Sequence, residues 1–186
     1  MGLRHLPWRL DAPEYAELQP EDVVIMPAFG VTIPMRRLLD EKGVSLVDST
    51  CGNVIKVWQR VKTYAAAGIT SIIHGKARHE ESLATASQSR GEEEKGNFLV
   101  VFDEADAELV ADYIRGRGHK EAFLEHFAGA CSPGFDPDVH LRTIGIANQT
   151  TMLKSETAHI QEMLKAAVIE RDGNDDRFHM FDTICG

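Results

Sequence analysis

The chain has 186 residues, 43% of them hydrophobic and 26% charged, with a formal net charge of −9. That length makes one domain of moderate size, or one domain plus part of another, and that apolar content excludes disorder. The acidic balance speaks against a nucleic-acid surface, which needs clustered Lys and Arg, although backbone amides can still build a local anion site inside an acidic protein. No apolar run approaches the ~20 residues that span a bilayer. Residues 1–10 lack the apolar core of ~7 or more residues expected of a signal peptide. Three widely spaced cysteines make no disulfide framework and fit a reducing compartment, where thiols are buried, catalytic or metal-bound.

Residues 1–20 are polar and proline-broken and read as loop. Val23 to Met26 is a buried strand ending at Pro27-Ala28-Phe29-Gly30. A helix follows from about Ile33 to Glu41, stopped by Gly43 as a C-terminal cap, and then a strand from Val44 to Val47. From Asn53 to Ala67 the residues Val54, Val57, Trp58, Val61 and Tyr64 fall at helical spacing, and Ile69 to Ile73 is a strand. Residues 80–88 read as a helix with Glu80 and Glu81 in its first turn, where the dipole favours acids. A charged turn leads to a strand at Phe98 to Phe102. A helix from Asp106 to Arg115 has Leu109, Val110, Tyr113 and Ile114 as its apolar stripe. Residues 116–139 are irregular apart from a short helix at Lys120 to Phe127. Thr143 to Ala147 is a strand, and Met152 to Ala167 the longest helix, with Leu153, Ile160, Met163, Leu164 and Ala167 repeating at helical intervals. A polar loop at Arg171 to Arg177 precedes a last strand. The alternation predicts an α/β fold, with a mostly parallel sheet, flanking helices and right-handed crossovers. The chain stops just after Cys185, inside what reads as a strand-to-helix turn, so a truncated chain is expected.

Chemistry-bearing residues gather at the predicted strand ends. Cys51, in Val47-Asp48-Ser49-Thr50-Cys51-Gly52, and Cys185, in Phe181-Asp182-Thr183-Ile184-Cys185-Gly186, share one local setting, in which a parallel strand hands a thiol to the sheet edge where ligands are held. Cys51 precedes a helix, whose N-terminus favours a thiolate. A buried free thiol is the competing reading for either, and the one that suits Cys131. His79 and Glu81 offer an imidazole for a phosphate oxygen and a carboxylate that can move a proton; alternatively they are a solvated helix start. His74 suits the turn better than the chemistry. In Asn148-Gln149-Thr150-Thr151 either threonine is a sound N-cap. The functional alternative adds free helix amides as an anion cradle and a hydroxyl for a substrate oxygen. Trp58, Met152, Met163 and Met180 read as core. Together these ends suit a metal site facing an anionic substrate.

Several stretches come in the order found in 4-hydroxy-3-methylbut-2-enyl diphosphate reductases. They are Asp48-Ser49-Thr50-Cys51, Lys56-Val57-Trp58, Ile73-His74-Gly75-Lys76 with His79-Glu80-Glu81, Ala84-Thr85-Ala86-Ser87, Gly134-Phe135-Asp136-Pro137-Asp138, Gly145 to Lys154, and Thr183-Ile184-Cys185. From about Glu21 onward the chain resembles the plant and cyanobacterial branch of that family. The resemblance implies three pseudo-symmetric α/β units around a 4Fe-4S cluster held by three cysteines. It also implies reductive loss of the substrate's hydroxyl as water, giving isopentenyl and dimethylallyl diphosphates at the end of the methylerythritol phosphate route to isoprenoids. By position, Cys51 and Cys185 would be the second and third cluster ligands, His79 would bind the diphosphate, Glu81 would relay the proton, and Thr150 would hydrogen-bond the substrate oxygen and help that relay. Residues 1–51 would be the C-terminal part of the first unit and 52–186 the second, ending at the third cluster cysteine. Ferredoxin or flavodoxin would donate electrons, in a bacterial cytoplasm or, for a plant or alga, the plastid stroma.

The chain departs from the family pattern as well. It has no Gly-Phe-Cys stretch upstream of Cys51, no N-terminal His motif, and none of the Ser/Asn-rich or Ser-Gly-Ala segments that should follow Cys185. Phe29 stands where many bacterial relatives carry His, and Gly52 replaces a frequent Pro. The isolated chain is therefore expected to be inactive. A non-catalytic diphosphate-binding module is the alternative, and a small zinc protein using Cys51, Cys185 and His79 a third reading that matches no zinc spacing.

Overall fold

The computed structural model describes residues 2–91 and 93–180. β1 (Val23–Met26) and β2 (Ser45–Asp48) pair in parallel with Val23 opposite Ser45 and Ile25 opposite Val47. The helix between them, α1 (Ile33–Lys42), starts where Thr32 accepts the Met35 amide and stops at Gly43, whose φ of 71° provides the left-handed turn expected of it. α1 packs Met35 and Leu39 on one face of this small sheet, with Met26, Tyr15 and Leu18. The opposite face is bare: Val23 is 63% exposed and Ile25 59%.

α2 (Gly52–Ala66) leads to the second sheet and turns Val54, Val57, Val61 and Tyr64 inward, as the helical spacing predicts. The second sheet has four parallel strands, β3 (Thr70–His74), β4 (Phe98–Val101), β5 (Ile144–Asn148) and β6 (Phe178–His179), in the order β4-β3-β5-β6. The parallel arrangement holds, while the strands divide between two sheets. α2 and α3 (Glu80–Arg90) cover one face of the larger sheet, with Val57, Val61 and Ala86 over Ile73, Val100 and Ala147. On the other face α4 (Glu104–Ile114) and α7 (Lys154–Asp172) set Val110, Ile160 and Leu164 over Ile72, Leu99 and Ile146. All five residues of β3 are buried, as expected of a parallel strand covered on both sides. Short helices α5 (Lys120–His126) and α6 (Pro137–His140) interrupt the irregular stretch before β5.

Several boundaries differ from the sequence reading. α4 begins two residues earlier than expected because Asp103 caps it, accepting the Asp106 amide. Its buried side is Ala107, Val110, Ala111 and Ile114, which leaves Leu109 44% exposed. α7 starts at Lys154, so neither Thr150 nor Thr151 is its N-cap. That position falls to Leu153, whose side chain makes no cap bond. Its end moves from Ala167 to Asp172, at Gly173, with Arg171 donating to the Leu141 and Arg142 carbonyls. Residues 13–15 form a single 3-10 turn inside the expected loop. Met180 is 50% exposed rather than core. Gly145 lets Tyr64 lie flat on β5: a Cβ there would stand 2.5 Å from the Tyr64 ring. Burial pushes the Tyr64 hydroxyl up to about 12.

A candidate active site at the carboxyl ends of the strands

The loop after β3 and the loop after β5 meet. His79 is the N-cap of α3, and its Nδ1 accepts the Glu81 amide at 3.1 Å. An accepting Nδ1 carries no proton, so in the neutral ring Nε2 bears the N–H. The ring is half-buried, and its Nε2 has no hydrogen-bond partner among the described residues.

Glu81, the second residue of the helix, is only 3% exposed. Its Oε1 accepts the backbone amide of Thr150 at 2.6 Å, across 69 residues of sequence. The solvated helix start weighed from sequence is thereby corrected: this carboxylate is enclosed and partnered. The Thr150 amide is spent on Glu81 rather than exposed at a helix end, so the anion cradle expected at Thr150–Thr151 does not form. Thr150 itself is exposed, and its hydroxyl has no hydrogen-bond partner among the described residues.

Gln149, to which sequence reasoning gave no role, clasps the two loops. Its side chain is buried, and its Oε1 accepts from the Lys76 amide and the Ser82 hydroxyl, both at 3.1 Å. Its Nε2 donates to Thr151 Oγ1 at 2.6 Å, and its own amide donates to the His74 carbonyl at 2.8 Å. Gly75 makes room for the clasp, because a Cβ there would come within 2.7 Å of Ser82 Oγ and 2.9 Å of Gln149 Cβ. The available signal was an amide side chain at a strand end facing a Gly in the neighbouring strand-end loop.

The small sheet brings Cys51 to the same side. Cys51 is exposed and is the N-cap residue of α2, immediately beyond β2. Its amide donates to the Ala28 carbonyl at 2.7 Å. The next residue, Phe29, sets its ring edge-on to His79 with centroids 6.2 Å apart, and Trp8 lies against Phe29 at 5.7 Å. Ser87 Oγ accepts the Ile33 amide at 2.9 Å and ties α3 to the start of α1. Hydrogen bonds from Thr50 hold the Asp48 carboxyl below the usual range. The remaining predicted residue, Cys185, lies outside the described residues. Cys131 is half-buried beside β4, where burial pushes its thiol up, as a packing thiol should behave.

Among the described residues no three His, Cys, Asp or Glu side chains gather as a metal site. Among the described residues Cys51 has the character of an iron–sulfur ligand, a soft, accessible thiol at a helix N-terminus. A cavity of about 410 Å³ is lined by the N-terminal segment and β1; it reaches Phe29 but none of His79, Glu81 and Thr150. No helix among the described residues is long and apolar enough to cross a membrane.

Parallel strands under helices, with a thiol, an imidazole, a buried carboxylate and a hydroxyl near their carboxyl ends, define an α/β protein, a class in which ligands are usually held at that edge. The LytB protein family model matches residues 8–186, and the chain belongs to that family. Among its relatives, the 4-hydroxy-3-methylbut-2-enyl diphosphate reductase of Synechococcus sp. (strain RCC307) is 47% identical over 188 aligned positions. That alignment covers 100% of this chain and 45% of the relative. The Prochlorococcus marinus (strain MIT 9515) protein of the same name is 49% identical over 175, covering 92% of this chain and 42% of the relative. The chain thus spans less than half the length of these curated relatives. A solved structure of (E)-4-hydroxy-3-methyl-but-2-enyl diphosphate reductase superposes with a TM-score of 0.64 at 20% identity, covering 91% of this chain and 47% of that one. A Plasmodium falciparum reductase structure gives 0.62 at 18%, covering 91% and 42%. At those identities the likeness is one of fold.

Proposed function

We propose that this chain carries the diphosphate-binding and proton-handling edge of a 4-hydroxy-3-methylbut-2-enyl diphosphate reductase. The observation that carries the reading is the buried Glu81 carboxylate held on the Thr150 amide at 2.6 Å, two residues from an imidazole with a free Nε2–H. His79 donates Nε2–H to a diphosphate oxygen. Glu81, fixed through one oxygen, keeps the other to hold and pass a proton. The unpartnered Thr150 hydroxyl hydrogen-bonds the substrate's allylic oxygen and lies on the proton's way to it. Two electrons and two protons remove that oxygen as water and leave isopentenyl or dimethylallyl diphosphate.

Cys51 and Cys185 would hold an iron–sulfur cluster, with a further ligand from sequence beyond this chain. When bound, such a cluster supplies electrons and Lewis acidity, and ferredoxin or flavodoxin would recharge it. In the same reading residues 1–51 end one α/β unit and 52–186 form a second. The compartment would be a bacterial cytoplasm or a plastid stroma.

Titration calorimetry with inorganic pyrophosphate tests the site. His79→Asn retains an N-cap acceptor but lacks Nε2–H, and is expected to weaken binding at least about tenfold, the loss of a charge-assisted hydrogen bond of roughly 1.5 kcal/mol. Glu81→Gln should leave binding unchanged. Unaltered affinity in His79→Asn would sink the assignment. Anaerobic reconstitution with iron and sulfide tests the thiols: Cys51→Ser should lower bound iron. Pyrophosphate binding with iron content indifferent to Cys51→Ser would instead identify a non-catalytic diphosphate-binding module.

A further inference from the structure

His74 ends β3 and is wholly buried, yet neither the binding nor the proton step uses it. Its backbone carbonyl accepts the Gln149 amide at 2.8 Å. Its ring Nδ1 lies 2.8 Å from Thr157 Oγ1, and the Thr157 hydroxyl donates its own proton to the Leu153 carbonyl at 3.2 Å. The hydroxyl oxygen is therefore the acceptor, and His74 Nδ1 carries the proton. One residue thus grips both ends of the segment 149–157, by its backbone at the strand end and by its ring in the first turn of α7. Thr150 lies inside that segment.

The other ring nitrogen makes the placement informative. Nε2 is buried and makes no hydrogen bond of ordinary geometry among the described residues: the Phe102 carbonyl faces the ring without closing one, and the Glu156 carboxylate oxygen, 3.8 Å away, is beyond hydrogen-bond reach. A buried polar atom without a partner costs stability, and an apolar side chain would avoid that cost. Stability alone does not explain a histidine here, whereas a rigid donor spanning from strand to helix does.

We propose that His74 is a positioning residue, which by holding Gln149 and Thr157 together fixes the Thr150 amide on Glu81. Its functional weight rests on the reading of Glu81 and Thr150 as the proton-handling pair, but its geometry can be tested apart from that reading. In ligand-free protein, hydrogen exchange and the ¹H–¹⁵N resonance of the Thr150 amide report the bond to Glu81 directly. His74→Leu removes the donor and should cut protection of that amide by about tenfold beyond any change in global stability. His74→Asn sets a side-chain N–H where Nδ1 was and should restore both protection and resonance. Thr157→Val, which removes the acceptor together with the hydroxyl's own bond to the Leu153 carbonyl, should reproduce the loss, and His74→Leu combined with Thr157→Val should lose no more than Thr157→Val alone. Full protection of the Thr150 amide in Thr157→Val, or no rescue by a folded His74→Asn, overturns the proposal. Failure of Glu81→Gln to alter turnover in a full-length relative, with these exchange results intact, would remove the proton role and leave the positioning.

Discussion

β1 and β3 are both short, parallel and rich in β-branched residues, yet they end in opposite surroundings. Ile72 and Ile73 of β3 are wholly buried, while Ile25 of β1 is 59% exposed beside Val23. Pairing does not bury a parallel strand; helices on both faces do. β3 has α2 and α3 on one side and α4 and α7 on the other, whereas β1 and β2 have α1 alone. The covered sheet holds the partnered carboxylate and its loop clasp. The half-covered sheet presents Cys51, whose thiol is open to solvent.

Substitutions can break that contrast. Ile72→Ala should cost about 2–5 kcal/mol by urea denaturation, the usual range for emptying a packed aliphatic site. Ile25→Ala should stay within about 0.5 kcal/mol. Equal costs would mean that the bare face is buried in solution. At the site, Glu81→Ala strands the Thr150 amide and should cost about 1–3 kcal/mol, while Glu81→Gln, which can still accept that amide, should cost less than about 1 kcal/mol.

The smallest effect expected is on the pH dependence of stability. Burial pushes His74 below its ordinary value of 6.5, against the opposing pull of Glu156, the Phe102 carbonyl and Asp103. Below 6.5 the unfolded chain then binds more protons at this residue than the folded one, so stability falls with falling pH until the folded group also titrates. His140, likewise lowered by burial against Asp136, contributes in the same direction. Urea midpoints between about pH 7.5 and 5.5 should therefore drop less in His74→Asn than in the parent. Identical slopes would show that His74 stays accessible to protons in the folded state.

The fold was readable where one force dominates. Apolar runs marked β1 to β5, and Gly43 marked the end of α1, because a left-handed residue there strongly favours glycine. Misplaced boundaries came from choices that only tertiary packing settles. Thr150 and Thr151 look like caps, but Thr151 is claimed by Gln149 and the Thr150 amide by Glu81, so α7 begins three residues beyond Thr151 without a side-chain cap. Leu109 was placed inward by hydrophobicity, yet α4 meets α7 through the smaller Ala107 and Ala111. At the site, the residue types at His79, Glu81 and Thr150 were visible in the sequence. The bond joining two of them across 69 residues was not, nor was the buried amide of Gln149 behind it, because both exist only once β3 and β5 lie side by side.

The uncovered side of β1 and β2 has a practical corollary. Val23, Ile25 and Val47 form a water-facing hydrocarbon strip beside a strand edge that is unpaired among the described residues, with neither Lys nor Pro within β1 to discourage pairing. Concentrated preparations will therefore tend to self-associate through that strip, and will do so more at high salt, where mutual repulsion among molecules of charge −9 is screened. Handling at low ionic strength, well above the isoelectric point, is the condition that keeps the molecules apart.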